Sequence, residues 1–226
     1  AYTVFDGGMP TGSELERSEA FMRTLREAVG PEVDLLFGTH GQFTPAGAIR
    51  LAQRIAPYDP LWLEEPVPPE NAAEMAVVAR ATPIPVATGE RLCTKYEFAR
   101  VLDEGAAAIL QLNLGRVGGL LEAKKIATLA EAKYAQIAPH LYCGPIVGAA
   151  NIQLATCSPN FLLLEGIETW DGFHAALLDK PVNWQNGYVI PSTEPGLGVT
   201  LNEAVAREHP YPVSYTHLTL PTSVMV

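Results

Sequence analysis

The sequence predicts an α/β chain of the (β/α) TIM-type barrel class, incomplete, with about strands 3–8 of the barrel present. Short apolar runs recur roughly every 25 residues, one strand–helix unit apart. Each run ends in a single polar residue, and capped helical segments fill the intervals. The runs at 33–37, 61–63, 84–88, 108–112, 136–139 and 161–164 lead to His40, Glu64, Glu90, Asn113, His140 and Glu165. Strands buried on both faces read as continuous apolar runs, and parallel strands need helical crossovers between them. A barrel keeps its chemistry at the carboxyl ends of its strands, so these six side chains are expected at one mouth. A smaller doubly wound sheet is the alternative arrangement.

The elements follow in order. Residues 1–5 read as the tail of an earlier strand. Ser13 is placed to cap a helix through Val29, stopped by Gly30 and Pro31. Thr44 followed by Pro45 is a cap and first-turn pair opening a helix over 45–55. Pro69 and Glu70 open the next, ending near Arg80, and Thr94 caps 95–102. Gly118 and Gly119 lead into 120–133, and Gly144 with Pro145 opens 146–156. After Glu165 the pattern breaks: 187–191 and 196–201 read as two short strands around a Pro/Gly turn, returning over the barrel surface.

The expected organisation is a partial barrel over 1–170, an extension over 171–212 packed back on it, and a non-native tail over 213–226. The run from Val213 to Thr222 is one reading frame of a nucleotide string resembling a transposon end joined to a sequencing adapter. His217 is therefore set aside as a site candidate. An eight-stranded barrel needs more strands than these six. The missing ones, with any capping domain, are expected upstream of Ala1, leaving the segment alone with open sheet edges and inactive.

Bulk properties narrow the function. With 226 residues at 48% hydrophobic the chain can bury a large core. A net charge of −10 and no basic stripe exclude a nucleic-acid partner. Cys93, Cys143 and Cys157 are odd in number and lack paired spacing, which fits a reducing cytoplasm rather than a disulfide framework or structural zinc. No apolar stretch approaches the roughly 20 residues of a membrane helix. The sequence-based expectation is a cytoplasmic protein with no membrane partner.

Four motifs carry a resemblance: Trp62-Leu63-Glu64-Glu65-Pro66, Ala87-Thr88-Gly89-Glu90-Arg91, Asn113-Leu114-Gly115-Arg116-Val117-Gly118-Gly119 and Ala138-Pro139-His140. With them the chain resembles the mandelate racemase/muconate lactonising group of the enolase superfamily. It is most similar to the galactonate-type acid-sugar dehydratases, which share Thr39-His40-Gly41 and the continuation from Pro66 to Asn71. The resemblance implies metal-assisted removal of the proton beside a substrate carboxylate, then loss of the β-hydroxyl to give a 2-keto-3-deoxy acid. It implies Glu64 and Glu90 as ligands of one Mg²⁺ or Mn²⁺ and His140 as base. It also implies Asn113 as the partner orienting that base, Glu165 as donor to the substrate carboxylate and His40 as acid. A small sugar acid is the implied partner, and the intact parent is expected to be a homo-oligomer. The residue types suit this chemistry. A hard cation takes oxygen ligands, an α-proton leaves only once charge is neutralised, and a departing hydroxyl needs an acid.

Two positions depart from the family pattern. Gly38 stands where an aspartate ligand is usual. Asp34 lies about 13 Å down the strand, Glu65 should face away from Glu64, and His40 reaching the metal would favour a softer ion. Asn113 stands where an aspartate normally accepts the other N–H of the base. Its oxygen can orient an imidazole but cannot stabilise the charged ring; the same exchange in a serine-protease triad costs about 10⁴ in turnover. These departures keep open a racemase, epimerase or cycloisomerase, and a non-catalytic relative. Arg116 sits where other branches carry a basic catalytic residue, or is a surface arginine. Trp62, Trp170 and Trp184 are core or substrate-wall residues.

Overall fold

Five of the six apolar runs pair side by side in chain order. In the computed structural model, which describes residues 6–166 and 170–210, β1 (Leu35–Gly38), β2 (Pro60–Glu64), β3 (Val86–Thr88), β4 (Ile109–Leu110) and β5 (Gln136–Ile137) form one sheet in the order β1-β2-β3-β4-β5. Every pairing is parallel. The crossovers are helical: α2 (Pro45–Ile55), α3 (Ala72–Ala81), α4 (Lys95–Asp103), and α5 (Leu114–Val117) with α6 (Leu120–Ala132). α1 (Gly12–Val29) precedes the sheet and α7 (Pro145–Thr156) follows it.

Strand alternation separates two cores. Leu63, Val86, Leu110 and Ile137 face outward and pack with Ile55, Met75, Phe98 and Ile126 of the helices. Their neighbours Trp62, Ala87, Ile109 and Ala138 form a second buried cluster on the other face, joined by Leu61, Leu162 and Leu163. This inward cluster is the filled interior a barrel wall requires.

Thr44 and Thr94 cap α2 and α4 as expected, Thr94 through a capping box with Glu97. The start of α1 differs. Thr11, not Ser13, is extended and forms a capping box with Glu14, its own amide donating to Glu14 Oε2 at 2.7 Å, while Ser13 lies inside the first turn. α3 starts two residues later than Pro69 and Glu70 imply, because Asn71 accepts from the Glu74 amide. Asn113 caps the short helix α5, which periodicity did not reveal.

The sixth run is reduced to a bridge. Phe161 pairs with Ile137 in parallel, the Leu162 amide donates to the Ile137 carbonyl at 2.9 Å, and no longer ladder follows. Residues 161–164 are half-buried, and among the described residues they have a neighbour on one side only. Asn160 holds the run in place by donating to the Ala127 and Ala135 carbonyls at 3.1 and 3.0 Å.

The extension also departs from expectation. Its hairpin is β6 (Trp184–Gln185) with β7 (Tyr188–Val189), turned by Asn186 at φ 51 and Gly187 at φ 81. An Asn-Gly pair suits the two positive φ angles of a tight hairpin turn, so the strands flank this dipeptide instead of starting at it. Residues 196–201 contribute only a bridge from Leu201 to Leu178. Gln153 of α7 donates to the Leu197 carbonyl at 3.3 Å, tying the extension to the helix layer. Residues 1–5 and the tail at 213–226 lie outside the described residues.

The exit of β3 is a tight passage. Gly89 has φ 141, and a Cβ there would lie 2.8 Å from the Phe98 ring and 3.0 Å from the Gln111 backbone. Gly89→Ala in the full-length protein is expected to cost about 1–3 kcal/mol by overpacking, read as a lower urea midpoint; an unchanged midpoint would show that the α4–β4 contact yields freely.

Candidate active site

Backbone pairing continues beyond the strands and fixes where the polar residues emerge. Thr39 donates to the Glu64 carbonyl at 3.1 Å, Glu65 to Ala87 at 2.8 Å, Gln111 to Thr88 at 2.8 Å and His140 to Leu112 at 3.1 Å. Because parallel strands share direction, each hydrogen bond carries the chain out at the same end of the sheet. Glu64, Glu90, Asn113 and His140 emerge there together.

Glu64 is half-buried and held by two donors. Its Oε2 accepts from Trp62 Nε1 at 3.2 Å and from Gln111 Nε2 at 2.7 Å. Gln111 is a site residue that motif reading passed over. It is 6% exposed and lies two positions before Asn113, so strand alternation alone places both on the inward face. Glu90 meets the histidine: its Oε2 lies 3.2 Å from His140 Nε2, with the two side chains 18% and 11% exposed.

The contact on the far side of His140 is reversed from the one expected. Asn113 Oδ1 accepts the Gly115 amide at 2.8 Å, and that N–H is a donor without alternative. The amide nitrogen of Asn113 is thereby turned to His140 Nδ1, 2.8 Å away. Nδ1 must accept, so the ring proton sits on Nε2 and points to Glu90. The oxygen expected to orient the ring instead caps α5. Asn151, fully buried on α7, donates to the His140 carbonyl at 3.1 Å and fixes the backbone behind it.

Glu165 and His40 lie toward the rim. Glu165 is exposed, and its Oε2 accepts the Leu141 amide at 2.5 Å, which ties the sixth run to the residue after His140. His40 is exposed at φ 53, and its carbonyl accepts from Arg91 Nη2 at 3.4 Å. Cys143 stands 3.7 Å from Asn113 Nδ2, and burial pushes its thiol up, so it is a neutral wall of the site. Glu65 does face away from Glu64's partners, as expected. Its side chain is buried against Arg91, and burial pushes its carboxyl up to about 7, with Arg91 opposing and Glu90 and Glu64 adding to the rise.

Glu64 and Glu90 fit a hard cation held by one or two carboxylates and completed by substrate and water oxygens. Gly38 pairs with Glu64 in the ladder and carries no ligand, and the described residues contain no group of three His, Cys, Asp or Glu placed to share one ion. The idea that His40 completes the set is corrected by this geometry. Among the described residues no helix is long and apolar enough to cross a membrane.

A wall of parallel strands joined by helical crossovers, with carboxylates and a histidine at its carboxyl edge, is the architecture of part of a (β/α)-barrel. The chain matches the family described as Enolase C-terminal domain-like over residues 5–205, and it belongs to that family. It is 36% identical over 217 residues to the D-xylonate dehydratase of Haloferax volcanii, covering 91% of this chain and 53% of that protein. It is 38% identical over 210 residues to the D-galactonate dehydratase of Ralstonia nicotianae, covering 89% and 54%. A crystal structure from Labrenzia alexandrii, of the mandelate racemase/muconate lactonizing enzyme group, superposes with a TM-score of 0.88 at 70% identity, covering 93% of this chain and 54% of that one. The chain spans about half the length of the curated relatives it matches.

The Asn113 contact makes a direct prediction. In ¹⁵N NMR of the metal-free full-length protein, His140 is expected as the tautomer protonated at Nε2, and Asn113→Asp is expected to move the proton to Nδ1. The same tautomer in both proteins would show that residue 113 does not set it.

Proposed function

We propose that this chain is the barrel part of a lyase that dehydrates a sugar acid, removing the proton beside the carboxylate and expelling the β-hydroxyl as water to leave a 2-keto-3-deoxy acid. The observation that carries the reading is the convergence of Glu64, Glu90 and His140 at one strand-exit mouth, in a chain 36% and 38% identical to two sugar-acid dehydratases. A divalent cation, Mg²⁺ or Mn²⁺, held by Glu64 and Glu90 would neutralise the charge that grows on the substrate carboxylate as the α-proton leaves.

The chain's own residues supply the rest. Trp62 and Gln111 fix the Glu64 carboxylate, so it does not reorganise during the reaction. His140 Nε2 faces the mouth and is the atom that exchanges the proton. To act as a base it must shed the hydrogen it carries, which places a proton on Nδ1 against the Asn113 amide. Turning that amide restores an acceptor to the ring but costs the Gly115 bond. His140 is thus a base whose ready state is disfavoured by its own support. His40, at the rim, is the acid for the departing hydroxyl, and Glu165 faces the substrate carboxylate.

The reversed amide favours one second reading, a relative that binds a sugar acid without turning it over. A single screen separates the two. The full-length protein is given sugar acids of the xylonate and galactonate class with Mg²⁺. A 2-keto-3-deoxy product is expected, together with a loss of at least about 100-fold in turnover on Glu90→Gln. Ligand binding without product would favour the second reading. Exchange of solvent deuterium at the α-carbon without water loss would point to an epimerase or racemase. No product, no binding and no effect of Glu90→Gln would sink both.

A further inference from the structure

Three strand exits meet at one ion pair that the reaction does not use. Glu65 follows Glu64 at the end of β2, and Arg91 follows Glu90 beyond β3. Arg91 Nε donates to Glu65 Oε1 at 2.6 Å, with the Glu65 side chain 1% exposed and that of Arg91 37%. The same guanidinium reaches across to the His40 carbonyl at 3.4 Å. One arginine therefore touches the loops carrying Glu64 and His40, and its own backbone adjoins Glu90.

The backbone around the pair is bent out of its preferred regions. Glu65 has φ 41 and His40 φ 53, both costly for residues with side chains. Gly41, at φ 67, donates to the Glu65 carbonyl at 2.6 Å, and a side chain on it would collide with the Arg91 guanidinium. The Thr39 hydroxyl lies 2.8 and 2.7 Å from the Glu64 and Glu65 carbonyls. Such strain persists only where the surroundings over-determine it. Stability is a poor reason for the pair, because burying a carboxylate costs about what its partner returns.

We propose that Arg91 and Glu65 are positioning residues that set the relative placement of Glu64, Glu90 and His40. They act through these neighbours and touch neither cation nor substrate. The proposal rests on the reading of Glu64 and Glu90 as cation-holding carboxylates. Partners that orient ligand side chains from behind are worth roughly 10–100-fold in metal affinity. No ordinary surface arginine would have that effect.

The test uses the full-length protein and variants Glu65→Gln, Arg91→Lys and Arg91→Met, with Mn²⁺ titrated by calorimetry and each metal-free variant melted alongside. Glu65→Gln keeps shape and an acceptor oxygen, and is the variant chosen to stay folded if Arg91→Met does not. The expected result is a loss of Mn²⁺ affinity of about tenfold or more in Glu65→Gln and Arg91→Met, with Arg91→Lys intermediate and the melting curves still cooperative. Folded variants that bind Mn²⁺ within about twofold of the parent would overturn the proposal. If the parent itself binds no Mn²⁺, the functional reading fails, and the metal-free crystal structure of Glu65→Gln then decides. There, a Glu90 displaced from its 3.2 Å contact with His140 would uphold the positioning role, and an unmoved Glu90 would overturn it.

Discussion

The parallel hydrogen-bond ladder is the constraint on which everything else here depends. It does not stop where the regular strands stop. It runs on through Thr39, Glu65, Gln111 and His140, each amide donating to a carbonyl of the neighbouring strand segment at 2.8–3.1 Å. A strand end free of its neighbours would let Glu64 or His140 sample many positions, at an entropic cost incurred again on each binding event. Paired out to the last residue, these side chains leave the sheet at fixed heights and on a common face. Sheet register thereby becomes site geometry, and the second core of Trp62, Ala87, Ile109 and Ala138 supports the mouth from below.

The two departures from the family pattern act on different parts of this frame. Gly38 removes a ligand without disturbing the ladder, since it pairs with Glu64 as any residue would. In the proposed site the consequence would be confined to the cation, which would have the carboxylates of Glu64 and Glu90 as its protein ligands. Asn113 changes more, because it serves two neighbours at once. Its oxygen caps α5 through Gly115 while its nitrogen faces His140. A carboxylate could accept from both the amide and the ring, whereas an amide accepts on one side and donates on the other. The helix cap therefore dictates the histidine tautomer, which links a local propensity directly to proton chemistry.

Much of this was legible in the sequence for definite physical reasons. Buried parallel strands must be apolar throughout, so their positions stood out, and the residues ending four of the runs, Glu64, Glu90, Asn113 and His140, do emerge at one end of the sheet. Thr44 and Thr94 were legible as caps because a hydroxyl before a helix has one obvious use. Other features were hidden. Gln111 is polar inside an apolar run and carries no motif, and only its alternation with Asn113 pointed inward. The sixth run reads as a strand in composition, yet its pairing with β5 goes no further than the bridge from Phe161 to Ile137. The orientation of the Asn113 amide depended on a helix too short to show periodicity. The Glu65–Arg91 pair spans residues 26 apart, and no local pattern announces it.

If the ladder positions the site, the amides at the strand exits must be as well protected as those within the strands. Native-state hydrogen exchange on the full-length protein measures this residue by residue. The amides of Thr39, Glu65, Gln111 and His140 are expected to exchange with the slow set that includes Leu63 and Ala138, opening only with the sheet. Fast exchange at these four amides against slow exchange within β2 to β5 would contradict the account, because the site would then be held by its loops and not by the sheet.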